Sequence, residues 1–425
     1  MKVFKFGGAS VQDVDHIKHV AKIVEQYQDE KLLIVVSAIG KTTNALEKVA
    51  EAFYENRKED ALRLFSDIKK QHLTIAKYLL VVTFNECLAR MSDLFTEIEW
   101  LLHDKPVREY NYYYDQIVSI GELLSTTIVS AYLNEVNIRN NWIDVRDVLR
   151  TDNHFREAIV DWPYTSKAAE TLMLPVFEEK NIVLTQGFIG CTSDNESTTL
   201  GREGSDFSAA IFTNIFSAES LTIWKDVEGV MNADPRLFPD AQYIAHLNYA
   251  EVIEMAYYGA QVIHPKTIKP LQNKNIPLLV KCFLDTGLPG TTIDNQKPSG
   301  LPPIIIQKNA QALLTLRTLD FSFIEEEPIK KLYKILNTLK IKPNLIQTGA
   351  IGLQVVVDDV PEKIDAFGQE AGKHFDLQVA KGYQLLTLRH YDEASLDKYL
   401  PEKNKILFQQ NEVTVQVLYS SYSLL

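Results

Sequence analysis

Short apolar runs that alternate with longer helical patterns dominate the chain from residue 1 to about residue 285. The runs are Val3–Phe6, Leu32–Ser37, Ile182–Thr185, Leu221–Trp224 and Leu278–Cys282. They are rich in Val, Ile and Leu, the composition of strands that are covered on both faces. After the first run, apolar residues from Ile17 to Tyr27 repeat at helical spacing. The alternation predicts an α/β fold with a mostly parallel sheet between helices.

The stretch from Ala45 to about Leu102 contains no strand-like run, and its pattern predicts several helices. We interpret this helical excursion as scaffold or as a surface for dimer formation.

A cluster of Gly, Pro, Asn and Ser at Gly287–Pro303 predicts a domain boundary. Beyond it, Leu313–Arg317 recurs as Leu385–Arg389, at an offset of 72 residues from 313 to 385. This period suits two copies of a small βαββαβ module. Only about 40 residues follow the second copy, so we expect a strand at Ile304–Gln307 to complete it, with the first module inserted into the second. The predicted domains are 1–290, 304–380 and 381–425.

Bulk composition excludes several classes of protein. Hydrophobic residues make up 46% and charged residues 24% of the 425 residues, as in soluble globular proteins. The formal net charge of −12 argues against nucleic-acid binding, which requires a basic surface. Three scattered cysteines predict neither a disulfide framework nor a protein-bound metal. No signal peptide opens the chain and no apolar run approaches the ~20 residues that span a bilayer, so we expect a cytoplasmic protein without membrane contact.

Polar, glycine-containing segments follow the predicted strands or begin predicted helices. They are Lys5–Ser10, Ser37–Asn44, Ser119–Glu122, Gln186–Gly190, Gly201–Asp206 and Lys225–Arg236. Taken singly, each has an ordinary explanation: a turn, a helix N-cap at Ser205 and Asp206, a solvated carboxylate at Glu122, or a surface loop. Five of the six, however, fall at the edge where open α/β sheets bind ligands. Together they predict a ligand site.

The Lys5–Ser10 segment favours an anionic ligand. Paired glycines allow close backbone approach, and a helix N-terminus presents free N–H groups to a phosphate beside the mobile charge of Lys5. The spacing matches neither the dinucleotide-binding GxGxxG pattern nor the P-loop, which disfavours a nicotinamide-dependent dehydrogenase.

With these segments in order, the chain resembles the aspartate kinases, members of the amino-acid kinase fold. The family's KFGGTS opening stands here as Lys5–Ser10, with Ala9 in place of threonine. The later family motifs GRxGSD, DVxG…DPR and GAxVxHP match Gly201–Asp206, Asp226–Arg236 and Gly259–Pro265. The family also carries two C-terminal ACT modules, small βαββαβ units that bind feedback amino acids, one inserted into the other. The resemblance therefore implies an amino-acid kinase fold followed by two small α+β ACT-like modules.

The resemblance implies a kinase that uses ATP with Mg²⁺ to phosphorylate the β-carboxylate of L-aspartate. The product is 4-phospho-L-aspartate, the first intermediate of lysine, threonine and methionine biosynthesis. A carboxylate acceptor is already ionised and needs no general base, so the site must supply positive charge and alignment. The resemblance further implies a homodimer or higher oligomer formed through the ACT-like modules, with lysine or threonine as the candidate feedback amino acid.

The resemblance also assigns site residues. The catalytic residues are Lys5 and Asp206. The substrate-binding residues are Thr43, Glu122, Phe188, Arg202 and Ser205, with Arg202 on the α-carboxylate and Glu122 on the ammonium group. The nucleotide-binding residues are Lys5, Gly7, Gly8, Ser10, Lys225, Asp226, Met231, Arg236 and Gln261.

The chain departs from the family pattern mainly near the phosphates. Many aspartate kinases have threonine and lysine where this chain has Lys225 and Gln261, so we hypothesise that Lys225 supplies the missing charge. Met231 stands where a tyrosine often packs on the nucleotide. In the first ACT-like module, Asn344 replaces a common aspartate, which leaves the effector open.

Two alternatives to aspartate kinase remain. Acetylglutamate, glutamate, carbamate and UMP kinases share the glycine loop, but the Gly201–Asp206 segment and the ACT-like tail favour aspartate kinase. The alternative from a different class is a catalytically impaired amino-acid sensor. The chain retains the residues that a kinase needs, which argues against the sensor: Lys5, Glu122, Arg202 and Asp206. Gln261 favours the sensor.

Overall fold

A computed structural model describes residues 1–179, 181–400 and 404–420. The chain divides into two compact units. The first unit comprises Met1–Val230, Ala245–Ile253 and Val262–Pro298. The second comprises Met231–Ile244, Glu254–Gln261 and the described residues of Ser299–Leu425.

Strands and helices alternate along the described chain as expected from the apolar pattern. The strands are Lys2–Phe6 (β1), Leu32–Val36 (β2), Asn140–Trp142 (β3), Ile182–Gln186 (β4), Ile189–Cys191 (β5), Ser197–Thr199 (β6), Ser220–Lys225 (β7), Val230–Met231 (β8), Tyr243–Ile244 (β9), His246–Asn248 (β10), Leu278–Cys282 (β11), Thr291–Asp294 (β12), Ile304–Thr318 (β13), Pro343–Thr348 (β14), Gly352–Asp358 (β15), Phe375–Arg389 (β16), Lys405–Gln410 (β17) and Thr414–Ser420 (β18). The helices are Val14–Glu25 (α1), Thr42–Tyr54 (α2), Lys58–Leu79 (α3), Phe84–His103 (α4), Tyr110–Val118 (α5), Ile120–Glu135 (α6), Trp162–Leu172 (α7), Val176–Glu179 (α8), Gly204–Ile215 (α9), Tyr249–Tyr258 (α10), Pro265–Gln272 (α11), Glu326–Thr338 (α12), Pro361–Ala371 (α13) and Glu393–Tyr399 (α14).

The first unit is built on a sheet whose described strands lie in the order β10-β12-β11-β7-β1-β2-β4-β3. All five strands predicted from the apolar runs are present, and they lie side by side in parallel as β11, β7, β1, β2 and β4. Only the β11–β12 pairing is antiparallel among the pairings described in this sheet. Helix α9 packs against β1, β2 and β7, whereas α6 packs against β2 and β4. The predicted α/β class with a mostly parallel sheet is confirmed.

The register of these strands aligns their carboxyl ends. Phe6 pairs with Val36 on one side and with Trp224 on the other, and Val36 pairs with Gln186. The segments that follow β1, β2, β4 and β7 therefore leave the sheet at one edge, as parallel pairing requires. These segments contain half of the predicted site residues of the first unit, namely Gly7, Gly8, Ser10, Thr43, Phe188 and Asp226.

The predicted helical excursion is present as α2, α3 and α4. The following segment, Tyr110–Glu135, spans α5 and α6 and is long and apolar enough to cross a membrane. This corrects the expectation that no apolar stretch approaches that length. Since 83% of its most apolar window is buried inside the protein, the segment has the character of a core helix.

The second unit contains an antiparallel sheet with its described strands in the order β14-β15-β13-β16-β18-β17. The long strands β13 and β16 pair along most of their lengths, with Ile304–Lys308 opposite Leu385–Arg389 and Leu313–Thr318 opposite Phe375–Ala380. The predicted strand at Ile304–Gln307 thus lies beside the second copy of the repeated run. The proposed division between residues 380 and 381 falls inside β16, and residues 401–403 and 421–425 of the second predicted module lie outside the described part. The domain limits stay predictions.

Candidate active site

The turn after β1 and the turn after β2 are in direct contact through Gly8. A Cβ atom on Gly8 would lie 2.7 Å from the Gly40 carbonyl oxygen and 2.9 Å from that of Ala38. The Gly40 amide also donates to the Gly8 carbonyl at 3.0 Å. Any side chain at position 8 would push these two backbone segments apart. This contact, and not only conformational freedom, explains the glycine.

The central charge of the site is Lys5 on β1. Its Nζ lies 2.6 Å from Oδ1 of Asp206 in the first turn of α9, and the two side chains are only 12% and 5% exposed. The predicted N-cap role of Ser205 and Asp206 is wrong, because Glu203 is the N-cap and Asp206 is bound to Lys5 instead. The Lys5 ammonium also lies against the glycine turn, 3.3 Å from where a Cβ on Gly7 would be. A cation, a glycine turn and a helix N-terminus therefore converge.

Glu122 on α6 is buried, so its interpretation as a solvated carboxylate is wrong. Its Oε1 accepts a hydrogen bond from the Ala38 amide at 3.2 Å. Its buried Oε2 has no hydrogen-bond partner among the described residues. Burial raises the pKa of Glu122 to about 8, against the opposing effect of the Lys5 charge. An isolated buried carboxylate oxygen is costly, and it is well suited to receive a cationic group.

The segment after β4 packs tightly on the start of α9. A Cβ on Gly187 would lie 2.6 Å from the Cβ of Ser205, and one on Gly204 would lie 2.6 Å from a ring carbon of Phe188. Phe188 has a φ of 68°, an unfavourable conformation for an aromatic residue, and its amide donates to the Ser208 hydroxyl at 3.0 Å. Strained backbone of this kind clusters at functional sites. The contact brings Phe188 and Ser205 together.

The remaining predicted substrate residues lie on the segments around these contacts. Thr43 is half-buried in the first turn of α2. Arg202 is exposed, just before the N-cap of α9, and forms no ion pair within the described part of the chain. The neighbouring Glu203 accepts a hydrogen bond from the His264 amide at 2.8 Å. That bond ties the GAxVxHP run to the GRxGSD run.

The predicted nucleotide residues are divided between the two units. In the first unit, Ser10 is buried beside the glycine turn and Asp226 is exposed. Lys225 at the end of β7 donates to the Val262 carbonyl at 2.6 Å. The others belong to the second unit, namely Met231, Arg236 and Gln261. There Arg236 is exposed and paired with Asp234 at 2.7 Å.

No cluster of three or more His, Cys, Asp or Glu side chains with metal-binding geometry occurs among the described residues. Carboxylates do lie at the site, and Mg²⁺ is commonly held by one or two carboxylates together with the phosphates of its nucleotide. The residues present therefore fit a metal that arrives with its nucleotide.

The first unit has the architecture of a phosphoryl-transfer enzyme of the amino-acid kinase class. Residues 1–282 match the Amino acid kinase family. The chain is 32% identical over 362 residues to lysine-sensitive aspartokinase 3 of Escherichia coli K12, covering 84% of this chain and 78% of that protein. The crystal structure of E. coli aspartokinase III with aspartate and ADP (R-state) has a TM-score of 0.83 at 28% identity, over 99% of this chain and 96% of that one. The crystal structure of the same E. coli protein with lysine and aspartate (T-state) has a TM-score of 0.80, with the same identity and coverage.

The chain belongs to the aspartokinase family. This membership confirms the resemblance and the predicted amino-acid kinase fold with β-rich C-terminal regulatory modules.

The raised pKa of Glu122 predicts a pH-dependent stability. An unfolded chain ionises Glu122 near its ordinary pKa of 4.5, but the folded protein keeps the proton to about pH 8. The folded state therefore loses stability as pH rises from about 4.5 to about 8, and Glu122→Gln removes this loss. Between pH 5.5 and pH 8, we expect the variant to gain about 3 kcal/mol in unfolding free energy relative to wild type, measured by urea denaturation without ligands.

Glu135 on the same helix provides the control. Backbone amides of Thr83 and Val82 lower the pKa of Glu135 to about 2, so it is charged at both pH values. Glu135→Gln should change stability equally at pH 5.5 and pH 8. An equal shift for Glu122→Gln would contradict the assignment of Glu122 as a buried, protonated carboxyl in the free protein.

Proposed function

We propose that the protein transfers the γ-phosphoryl group of ATP to the β-carboxylate of L-aspartate, giving 4-phospho-L-aspartate. The observation that carries this proposal is the buried, unpartnered Oε2 of Glu122 on the same site as the Lys5–Asp206 pair and the glycine turn. An amino-acid ammonium group would satisfy that oxygen, and the cationic glycine turn would hold the phosphates. Membership of the aspartokinase family selects aspartate among the amino acids.

The substrate half of the site follows from charge complementarity. The ammonium group of aspartate binds Glu122, and its arrival favours the ionised form of that carboxyl. Arg202 binds the α-carboxylate through two parallel hydrogen bonds, as a free guanidinium can. Thr43, Phe188 and Ser205 line the same pocket. Both ends of the amino acid are thereby fixed, and its β-carboxylate is left to face the phosphate.

The phosphate half of the site supplies positive charge rather than a base. An ionised carboxylate is already a nucleophile, and the main barrier is its approach to a polyanion. Lys5, the Gly7 and Gly8 amides and Ser10 bind the transferring phosphoryl group, while Asp206 holds the Lys5 ammonium in place. ATP enters as its Mg²⁺ complex, in which the metal neutralises phosphate charge.

Acyl phosphate formation is the decisive test. The protein is incubated with Mg-ATP and L-aspartate, and hydroxylamine traps the product as a hydroxamate. We expect hydroxamate with aspartate, and none with glutamate or N-acetylglutamate. Lys5→Met should lower the turnover by at least about a hundredfold, because it removes the charge that stabilises the transferring group.

The outcome also separates the enzyme from the alternative function. A catalytically impaired amino-acid sensor would give no hydroxamate with any acceptor. Hydroxamate with glutamate alone would reassign the acceptor within the same fold.

We also propose that Lys225 supplies the charge that Gln261 lacks. The Lys225 ammonium binds the carbonyl of Val262, the residue that follows Gln261 in the chain. It forms no ion pair within the described residues, so its positive charge remains available to the nucleotide. Asp226, Met231 and Arg236 are also proposed to contact the nucleotide.

A charge-swap series tests this role. Lys225→Ala should raise the KM for ATP about tenfold and leave the KM for aspartate within twofold, because only a phosphate contact is lost. Adding Gln261→Lys to that variant should restore the KM for ATP. Lys281→Ala is the matched control, since Lys281 lies on the adjacent strand and lies over the Trp224 ring. An unchanged ATP dependence in Lys225→Ala would rule the idea out.

The second unit is proposed to bind a feedback amino acid, lysine or threonine. Asn344 on β14 has an amide and not the common carboxylate, and that amide is already occupied. Its nitrogen donates to Gln311 at 2.7 Å and to Asp358 at 2.8 Å, while its oxygen accepts from Lys308 at 2.8 Å. The Lys308 ammonium therefore already occupies the Asn344 side-chain oxygen.

Inhibition assays test this arrangement. We expect millimolar lysine to inhibit the wild-type protein only weakly, and Asn344→Asp to lower the half-inhibiting lysine concentration about tenfold, because a second carboxylate beside Asp358 attracts a further cation. D-lysine controls for general ionic effects. Inhibition by threonine alone, in both proteins, would assign threonine as the effector.

The remaining proposals concern assembly and location. We propose a cytoplasmic homodimer or higher oligomer that forms through the ACT-like modules. The pathway role proposed is the first step toward lysine, threonine and methionine.

A further inference from the structure

An arginine outside the predicted site, Arg156, carries a guanidinium group on a tyrosine platform. Its Cζ lies 4.3 Å from the ring centroid of Tyr114 and 5.8 Å from that of Tyr110. The side chain is exposed and has no carboxylate within salt-bridge distance in the described residues. Stacking on an aromatic face orients a guanidinium and leaves its edge free to donate.

The backbone at Arg156 is held in a strained conformation. Its φ is +73°, which an L-residue with a long side chain rarely adopts. The Arg156 amide donates to Asp115 at 2.9 Å, and the same buried carboxylate accepts from the amide and hydroxyl of Thr199 at 2.8 and 2.7 Å. These bonds fix the loop to the strand that leads into Gly201–Asp206. The position of Arg156 is therefore well determined.

Two contacts link Arg156 to segments that carry predicted substrate-binding residues. Its carbonyl oxygen lies 3.1 Å from where a Cβ on Gly201 would be, directly before Arg202. On the other side, the Tyr114 hydroxyl donates to Glu47 at 2.6 Å. Glu47 lies four residues after Thr43 on α2, hence on the same helix face. Arg156 thus contacts the segment that carries Arg202 through its backbone carbonyl, and its guanidinium is linked through Tyr114 and Glu47 to the helix that carries Thr43.

We propose that Arg156 is a second substrate-binding guanidinium, which binds the α-carboxylate of aspartate together with Arg202. This inference rests on the proposed function. The single negative charge of the α-carboxylate then meets two guanidinium groups, while the β-carboxylate points toward Lys5. The positive charge of Arg156 strengthens substrate binding and attracts the anionic α-carboxylate from solution. Dissolved salt screens this attraction.

Steady-state kinetics with three variants test the role of Arg156. Arg156→Met keeps the apolar stem on the tyrosines but removes the charge. We expect it to raise the KM for aspartate at least about tenfold, with kcat and the KM for ATP within twofold. Arg156→Lys should recover part of the loss, since it restores charge without the planar fork. The effect of Arg156→Met should shrink at high ionic strength.

Arg150 is the matched control, because it also stacks on a tyrosine, with Cζ 4.6 Å from the Tyr164 centroid, and bonds the Thr192 carbonyl. Arg150→Met should leave the KM for aspartate within twofold. If wild-type protein forms no hydroxamate from aspartate, the proposed function fails and this inference with it. If wild type is active and Arg156→Met has an unchanged KM for aspartate, only the inference fails. Equal changes in both KM values and kcat, with a lower melting temperature, would show a purely structural role and also overturn it.

Discussion

The buried ion pair between Lys5 and Asp206 is the interaction on which the site depends. It connects the strand β1 at the middle of the parallel sheet to the first turn of α9. Removing two charges from water costs about as much as their attraction returns, so such a pair adds little net stability. Its value is positional: Asp206 holds an ammonium group beside the glycine turn, at a site where a free lysine would sample many rotamers.

Parallel strand pairing sets where the other groups lie. Because Phe6, Val36, Trp224 and Gln186 are in register, the segments beyond them emerge together and must pack against one another. Close contacts at Gly8 and Gly187 make this packing possible, since a single Cβ at either position would meet backbone or Cβ atoms at less than 3.0 Å. The same crowding excludes water from Glu122, and that exclusion raises its pKa. One topological constraint therefore produces both the glycine turn and the unusual carboxyl.

Local pattern was sufficient to predict the five central strands and the helical excursion, and it selected the segments that are proposed to carry the site. Local pattern failed for the environment of individual side chains, because contacts between residues far apart in the sequence determine that environment. Whether Glu122 is solvated depends on Ala38, which is 84 residues away in sequence, and the partner of Asp206 is a residue on β1. Arg156 belongs to no recognisable motif. Its positive φ, its tyrosine platform and its contact with Gly201 exist only in the folded chain, so no sequence signal could have identified it.

Contacts within the second unit surround the segment that ends at Gln261, one of the positions where the chain departs from the family pattern. The segment Glu254–Gln261 is held there by basic residues of the regulatory sheet: Arg389 pairs with Glu254 at 3.0 Å, and Lys342 donates to the Tyr257 carbonyl at 3.2 Å. The stem of Lys308 covers Gly259, whose φ of +114° and lack of a Cβ both permit that contact. Lys308 also donates a hydrogen bond to Asn344, the residue that stands where the family commonly has an aspartate. Through Lys308, the segment that ends at Gln261 is therefore linked to Asn344. A lysine at 261 would add another cation to a segment already held by three, whereas the proposed replacement, Lys225, lies at the end of β7. The exchange of charge between these two positions is consistent with that crowding.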